Sequence, residues 1–225
     1  MSRPTLVLLH GVGLDRTMWD PVVALLAGDI DVVTLDLPGH GASPPASAGV
    51  TLADLAEGVA AEVPPSSHLV GFSLGALVAQ HLARYRPELV ATLTSVSSVC
   101  RRTADERAAV MDRLRTAEGD FAASAAASLR RWYDGIDVDP EQVRRTEVIL
   151  LANDRDSFLH CYRVFATADA EIGPELDRIT VPALAHVFPL TFTVPLATLL
   201  DVLAATTTAL RLRRRLTPTP PCESS

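Results

Sequence analysis

The sequence predicts an α/β fold, a mostly parallel sheet with a helical insertion, and three observations carry that expectation. Short β-rich apolar runs that stop at glycine alternate with amphipathic helical patterns over the first hundred residues. A block of four helical patterns with no β-like run follows, and one β-like run then returns near residue 180. Strand and helix in alternation imply parallel strands, because each parallel connection has to cross the sheet and lay its helix on a face.

In chain order, "TLVLLHG" (5–11) and "DVVTLDLPGHG" (31–41) are strands closing at glycines, and "HLVGFS" (68–73) and "VATLTSVSS" (90–98) repeat the pattern. Between them "RTMWDPVVALLAG", "TLADLAEGVAAEV" and "LGALVAQHLARYRPE" carry apolar residues three and four apart, the spacing of one helix face. From Arg101 to about Asp169, "TADERAAVMDRLRTAEG", "GDFAASAAASLRRWYDG", "DPEQVRRTEVILLAND" and "DRDSFLHCYRVFATADA" each begin at a Thr, Asp or Pro start signal. "LDRITVPALAHVF" (176–188) returns to a β pattern. The expected organisation is a core over 1–100, a helical cap over 101–170, a return to the core strand over 171–188 and an atypical tail over 189–225. The final "TPTPPCESS" is expected to be disordered, since proline and small polar residues build no core.

Composition removes several classes of function. A net charge of −7 argues against nucleic-acid binding, which needs a basic face to neutralise phosphates. All twenty basic residues are arginine, which excludes a Schiff-base lysine, a pyridoxal-phosphate anchor and a Walker phosphate loop. Cys100, Cys161 and Cys222 are odd in number and widely spaced, offering neither a disulfide framework nor a metal knuckle, and fit a cytoplasmic location. The apolar run near the N-terminus, "LVLL" (6–9), spans four residues, too short for a signal-peptide core. No cofactor and no metal are implied, and the expected partner is a small molecule.

"GFSLG" (71–75) places Ser73 between two glycines, with a strand before it and a helix after it. A serine on such a sharp turn stands clear of the sheet as a nucleophile, and the glycines let strand and helix pack closely. "LLHGVG" (8–13) ends another strand, so the backbone N–H groups of Val12 and Leu74 can converge on an oxyanion. "LDLPGHGAS" (35–43) adds a third strand-end turn on the same rim.

"HGVGLDRTMWDP", "DLPGHGAS" and "GFSLGALVAQHLARYRPE", in this order, resemble the α/β-hydrolase superfamily. "FAASAAASLRRWYDG" with "ANDRDSFLHCYRVFATADAEIGPELDRITVPAL" is similar to its 3-oxoadipate enol-lactonase and small carboxylesterase branch, and the likeness covers about residues 5–184. The resemblance implies hydrolysis of a carboxylic ester or lactone with Ser73 as nucleophile, Val12 and Leu74 amides as the oxyanion hole, and Trp132 lining the pocket. Two alternatives stay open: an inactive binding or membrane-associated protein, and a haloperoxidase-like or carbon-bond hydrolase using the same elbow.

The departure lies beyond "VPAL" (181–184), where the family carries a Gly-Asp turn with the acid and a later Gly-His segment with the base. Here "AHVFPLTFTVPLATLLD" follows, and no histidine comes after His186. His186 is the remaining base candidate and Asp201 the acid that would complete a substitute triad; with the usual acid and histidine absent, weak or absent hydrolase activity is expected. His10 and His40 read as loop residues of the rim, His68 and His81 as residues beside the nucleophile strand and on the next helix, and His160 as a cap histidine. Trp19 is expected beneath the oxyanion loop, while Arg101 and Arg102 either fork a substrate carboxylate or form a solvated pair at a helix start.

Residues 174–225 hold none of the twelve glycines, and 185–225 hold eight of nineteen threonines and four arginines against two acids. A shifted reading frame explains these features together, and the sheet is then expected to lack its last strand and triad segment. A membrane-attached end is the second explanation, weakened by Asp201, two prolines and six threonines within 187–210. A divergent but functional ending is the third. Substrate identity and oligomeric state are open.

Overall fold

Leu6, Val7, Leu8 and Leu9 are all fully buried, so the first strand shows no alternation of exposed and covered side chains. Such a strand must be covered on both faces, which is the condition of a central parallel strand. In the computed structural model, which describes residues 3–26, 28, 30–98 and 100–186 and only the backbone of His186, this strand sits inside an all-parallel sheet. The strands are β1 (Thr5–Leu9), β2 (Asp31–Leu35), β3 (Ser67–Phe72), β4 (Val90–Val96) and β5 (Ala183–His186), in the order β2-β1-β3-β4-β5.

The connecting helices are α1 (Asp20–Leu26), α2 (Leu52–Ala60) and α3 (Leu74–Tyr85). Leu52, Leu55, Ala56 and Val59 make the buried stripe of α2, and Thr51 with Asp54 closes its first turn as a reciprocal capping box. Ten of the twelve residues of α3 are buried, because the helix is covered on one side by β1, β3 and β4 and on another by α2. Between β4 and β5 the chain forms α4 (Ala104–Gly119), α5 (Phe121–Tyr133), α6 (Pro140–Ala152), α7 (Arg155–Thr167) and the short α8 (Asp169–Ile172). Each of the four long ones begins where the sequence places a start signal, with Thr103, Asp120, Asp139 and Asp154 accepting from a first-turn N–H.

The return to the sheet is shorter than the β pattern of 176–188 suggests. Gly173–Arg178 is a 3-10 turn and only Ala183–His186 pairs with β4. Two prolines account for the difference: Pro174 fits a helical first turn, and Pro182 can offer the ladder only its carbonyl, which accepts from Leu93 N–H. Among the described residues no helix is long and apolar enough to cross a membrane. Asp201 and the tail 189–225, with the missing strand and triad segment expected there, lie outside the described residues.

The strand order fixes where a site can form. From β1 the chain crosses to β2 on one side, and β3 then lies on the other side of β1. Connections leave in opposite directions at this switch point, opening a crevice at the carboxyl ends of β1 and β3. Gly11–Val12 follow the first of these strands and Ser73 the second.

Candidate active site

Ser73 adopts φ 55° and ψ −113°, a left-handed conformation that side chains rarely take, between β3 and α3. The turn is held from three sides. Ser73 N–H donates to Val96 O of β4 at 3.0 Å, Gly75 N–H donates to His10 O at 3.0 Å, and Ala76 and Leu77 N–H both donate to Ser73 O. The flanking glycines are demanded by contact: a Cβ at Gly71 would lie 2.2 Å from Gly75 O, and one at Gly75 would lie 2.4 Å from Leu9 O. The "GFSLG" spacing is thus the spacing at which a helix can start directly against the strand it leaves.

The loop after β1 rests on this turn. A Cβ at Gly11 would come within 3.0 Å of the Phe72 ring and 3.2 Å of Ser73 Cβ, so Gly11–Val12 and Ser73 are immediate neighbours. Val12, buried, lines the crevice, and Leu74, directly after Ser73, is the first residue of α3. Leu74 N–H has no intrahelical acceptor, as for any first-turn amide.

His10 sets the loop. Leu37 N–H donates to its Nε2 at 3.0 Å, which leaves the proton on Nδ1 to donate to Gly11 O at 2.8 Å. Burial lowers its pKa to about 4, the Gly11 carbonyl and Asp36 working against that shift. The ring is neutral at pH 7, so its 4.0 Å approach to Asp36 is a contact between neutral and charged groups rather than an ion pair. Asp36 accepts from Arg16 N–H at 2.7 Å and Ala42 N–H at 3.0 Å, tying the loop after β2 to the turn after β1. His40, its ring 5.1 Å from that of His10, is lowered to about 3 by burial and then by the His10 charge. Both histidines are therefore framework of the rim, as their loop positions suggest.

The helices between β4 and β5 roof the crevice. Asn153 Nδ2 donates to Gly13 O at 2.9 Å, Ala46 N–H donates to Ser157 Oγ at 2.6 Å, and His160 Nδ1 donates to Ala46 O at 2.9 Å. His160 is thus engaged with the loop after β2 and does not line the pocket. The pocket holds about 630 Å³ counting its open mouth, and its lining includes Val12, Ser73, Trp132, Leu150, Phe158 and Phe165. Trp132 is one of the lining residues, while Trp19 is fully buried away from the pocket.

The remaining site candidates divide clearly. His68 is at the start of β3, with Nδ1 2.8 Å from Thr92 Oγ1, and His81 packs on Tyr85 at 4.6 Å along α3. His186 closes β5, its backbone in register with Val96, the residue that holds Ser73 N–H; its side chain and Asp201 lie outside what is described. No described histidine, aspartate or glutamate lines the pocket. Cys161 offers no competing nucleophile, because burial pushes its thiol up to about 12.

Arg102 corrects the expectation of a substrate fork or solvated pair at the start of α4. It is buried, its guanidinium 2.6 Å from Asp169 and its N–H 2.9 Å from the same carboxylate. The pocket instead receives Arg113 and Arg131, together with Ser97, whose φ is 51° and whose buried Oγ has no described partner. The sequence carries a signal for the arginines: Arg113 falls on the α4 stripe of buried Val110, Leu114 and Ala117, and Arg131 lies seven residues after buried Ser124 on α5.

Comparisons with known proteins agree with this architecture. The model of the "Alpha/beta hydrolase family" matches residues 6–219. A pimeloyl-(acyl-carrier protein) methyl ester esterase of Aromatoleum aromaticum is 39% identical over 140 residues, 59% of this chain and 55% of the esterase. The chain thus matches about half the length of that relative. An (E)-2-((N-methylformamido)methylene)succinate hydrolase of Acinetobacter baylyi is 27% identical over 183 residues, 80% of this chain and 69% of that one. The enol-lactonase of Burkholderia xenovorans LB400 superposes with a TM-score of 0.72 at 25% identity, covering 82% of this chain and 72% of its own. With the parallel sheet, the strand-turn-helix at Ser73 and a family match over most of its length, the chain belongs to the alpha/beta hydrolase family.

Proposed function

We propose that this chain hydrolyses a carboxylic ester or lactone, with Ser73 as nucleophile and the N–H groups of Val12 and Leu74 as the oxyanion hole. The observation that carries this reading is the strained turn at Ser73, which has Gly11–Val12 packed against it and opens into an apolar pocket. Backbone strain is retained where surrounding structure over-determines it, and three hydrogen-bonded partners do so here.

In the reaction, Ser73 Oγ forms a bond to the substrate carbonyl carbon as its proton passes to a base. The carbonyl electrons move onto an oxygen that the two amides receive. Collapse of this intermediate breaks the bond to the alcohol oxygen, which takes the proton, and leaves the acyl group on Ser73. Water attacks the same carbon, and the acid product and free serine result. We assign the base to His186. The placement of His186 supports this: β5 lies two strand spacings, roughly 10 Å, from β3 on the edge where both strands end. Trp132 shapes the apolar side of the pocket that receives the substrate. The relatives are named for acting on a methyl ester, a succinate derivative and an enol-lactone, which makes short methyl esters and lactones the substrates to try.

The test is hydrolysis of short methyl esters and lactones by the full chain and by Ser73→Ala and His186→Ala. Loss of at least about 10³-fold in kcat for each variant is expected, since removing a member of a Ser-His unit costs about as much as removing the whole unit. The absence of described acids and histidines around the pocket favours one second reading, a binding protein that retains the pocket without turnover. Ligand binding without Ser73-dependent hydrolysis is its signature.

A further inference from the structure

Four described arginines have no carboxylate at ion-pair distance: Arg101, Arg113, Arg130 and Arg131. Arg101 and Arg130 are exposed, and water solvates them. Arg113 and Arg131 are half-buried and line the same pocket as Ser73. Every other half-buried or buried arginine with a place in the packing has found an acid, Arg84 with Glu175 and Arg102 and Arg107 with Asp169. The pocket arginines have only neutral partners: Arg113 Nε donates to Tyr162 Oη at 3.3 Å, and Arg131 donates to Ser128 Oγ at 3.0 Å and stacks loosely on Trp132 at 6.0 Å.

Two half-buried like charges lining one pocket without a counter-ion are unfavourable in the empty protein. Loss of water holds the Arg131 guanidinium below its usual range, and the charge of Arg113 adds to that effect while Tyr162 opposes it. An anion entering the pocket relieves both penalties, and a guanidinium offers a carboxylate two parallel N–H donors. The surrounding charge makes the placement selective: on a chain of net charge −7, a cationic pocket concentrates anions locally that the rest of the surface repels.

We propose that Arg113 and Arg131 form a carboxylate subsite, and that the substrate carries a free carboxylate remote from its ester or lactone carbonyl. The subsite stands on the arginines alone, while the ester part rests on the hydrolase reading of Ser73. Hydrolysis of such a substrate yields a product with two carboxylates, or a carboxylate at one end and a carbonyl or alcohol at the other. Arg113 and Arg131 act on affinity and orientation; neither takes part in bond making.

The experiment has a binding arm and a turnover arm. Glutarate and its neutral diamide, glutaramide, are titrated into the full chain by calorimetry. Glutarate is expected to bind at least about 10-fold tighter and to weaken as salt is raised, since exposed charge interactions are screened. Arg113→Gln and Arg131→Gln are each expected to lose about 10-fold or more in glutarate affinity, as befits a charge-assisted hydrogen-bonded pair. Arg113→Lys, which keeps the charge but not the fork, is expected to fall between, and Arg144→Gln, on an exposed arginine paired with Glu141, to bind as the parent does. Circular dichroism and Tm establish that each variant is folded. Equal affinity for glutarate and glutaramide, or parental glutarate affinity in both folded Gln variants, overturns the subsite.

In the turnover arm, monomethyl glutarate is expected to exceed dimethyl glutarate in kcat/KM, with the preference lost in the Gln variants chiefly through KM. Arginine-dependent glutarate binding with no Ser73-dependent turnover would leave the subsite standing and sink the hydrolase reading. Ser73-dependent turnover with no preference for the half-ester would do the reverse.

Discussion

A Cβ at position 75 would sit 2.4 Å from Leu9 O and 2.5 Å from His10 O, both backbone atoms of the strand and loop beneath α3. Neither can swing aside as a side chain could, so Gly75→Ala must lift the helix or distort the Ser73 turn. Overpacking of this kind costs about 1–3 kcal/mol; urea unfolding should show at least that loss, with hydrolysis falling in parallel. Gly119→Ala is the contrast: a Cβ there meets nothing within 4 Å, and the change should be neutral or stabilising by up to about 1 kcal/mol. The two buried rim histidines make a separate prediction. Burial lowers His10 to about 4 and His40 to about 3, while in the unfolded chain both titrate near 6.5. Between those values the unfolded chain binds protons the folded one refuses, so stability falls as pH falls. His10 and His40 together should cost roughly 4 kcal/mol between pH 7 and pH 5, and His81, also lowered by burial, adds in the same direction. Urea midpoints at the two pH values measure it, and His40→Gln should flatten the dependence. The turn at Ser73 was legible because its signal is local, a strand, a tight turn and a helix within about fifteen residues. Arg113 and Arg131 left only a weak trace, their helical spacing from apolar or small residues, because an arginine on a helix reads as solvated until the packing of that helix decides which face is covered.

Local rules account for the helices better than for the strand order. Thr103 and Glu106 close the start of α4 reciprocally, each side chain accepting from the other's backbone N–H. Thr103→Ala removes one acceptor and should cost about 1 kcal/mol, seen as a lowered urea midpoint with no change in its slope. Such caps are written in four consecutive residues, which is why the four long helices between β4 and β5 begin where the sequence says they do. The strands were legible as buried apolar runs, β1 most plainly, since a strand covered on both faces needs no polar alternation. Their order was not. Pairing of β1 with both β2 and β3 joins residues that are far apart in the chain, and no local pattern encodes which edge a strand takes. The 3-10 turn over Gly173–Arg178 escaped for another reason: Ile179 and Val181, just after it, pack against the core at the two-residue step of a strand, and the pattern reads back into Leu176.

The chain leaves the sheet at Val96 and rejoins it at Ala183, and the two ends of that excursion are clasped by one carboxylate. Asp169 accepts from Arg102 N–H at 2.9 Å and lies 2.6 Å from the Arg102 guanidinium and 2.8 Å from that of Arg107. The Arg102 guanidinium also stacks 4.8 Å from the Phe165 ring, which lines the pocket. The clasp therefore positions a wall of the site from outside it. Burial alone would raise the Asp169 carboxyl, but the Arg102 N–H and the two guanidiniums outweigh it and hold the group below its usual range. A carboxylate with a depressed pKa contributes stability that is present above its unfolded value, near 3.8, and is lost only as pH falls through the lower folded one. Asp169→Asn leaves Arg102 charged, buried and unpaired, and should cost about 3–5 kcal/mol. Because Asp169 stays ionised throughout the range where the histidines titrate, that cost should be the same at pH 7 and pH 5, even though the parent itself is less stable at the lower pH. A cost that shrinks markedly by pH 5 would mean that Asp169 is already protonated there, whereas a small cost at both pH values would mean that the clasp draws its strength from packing around Phe165 rather than from the ion pair.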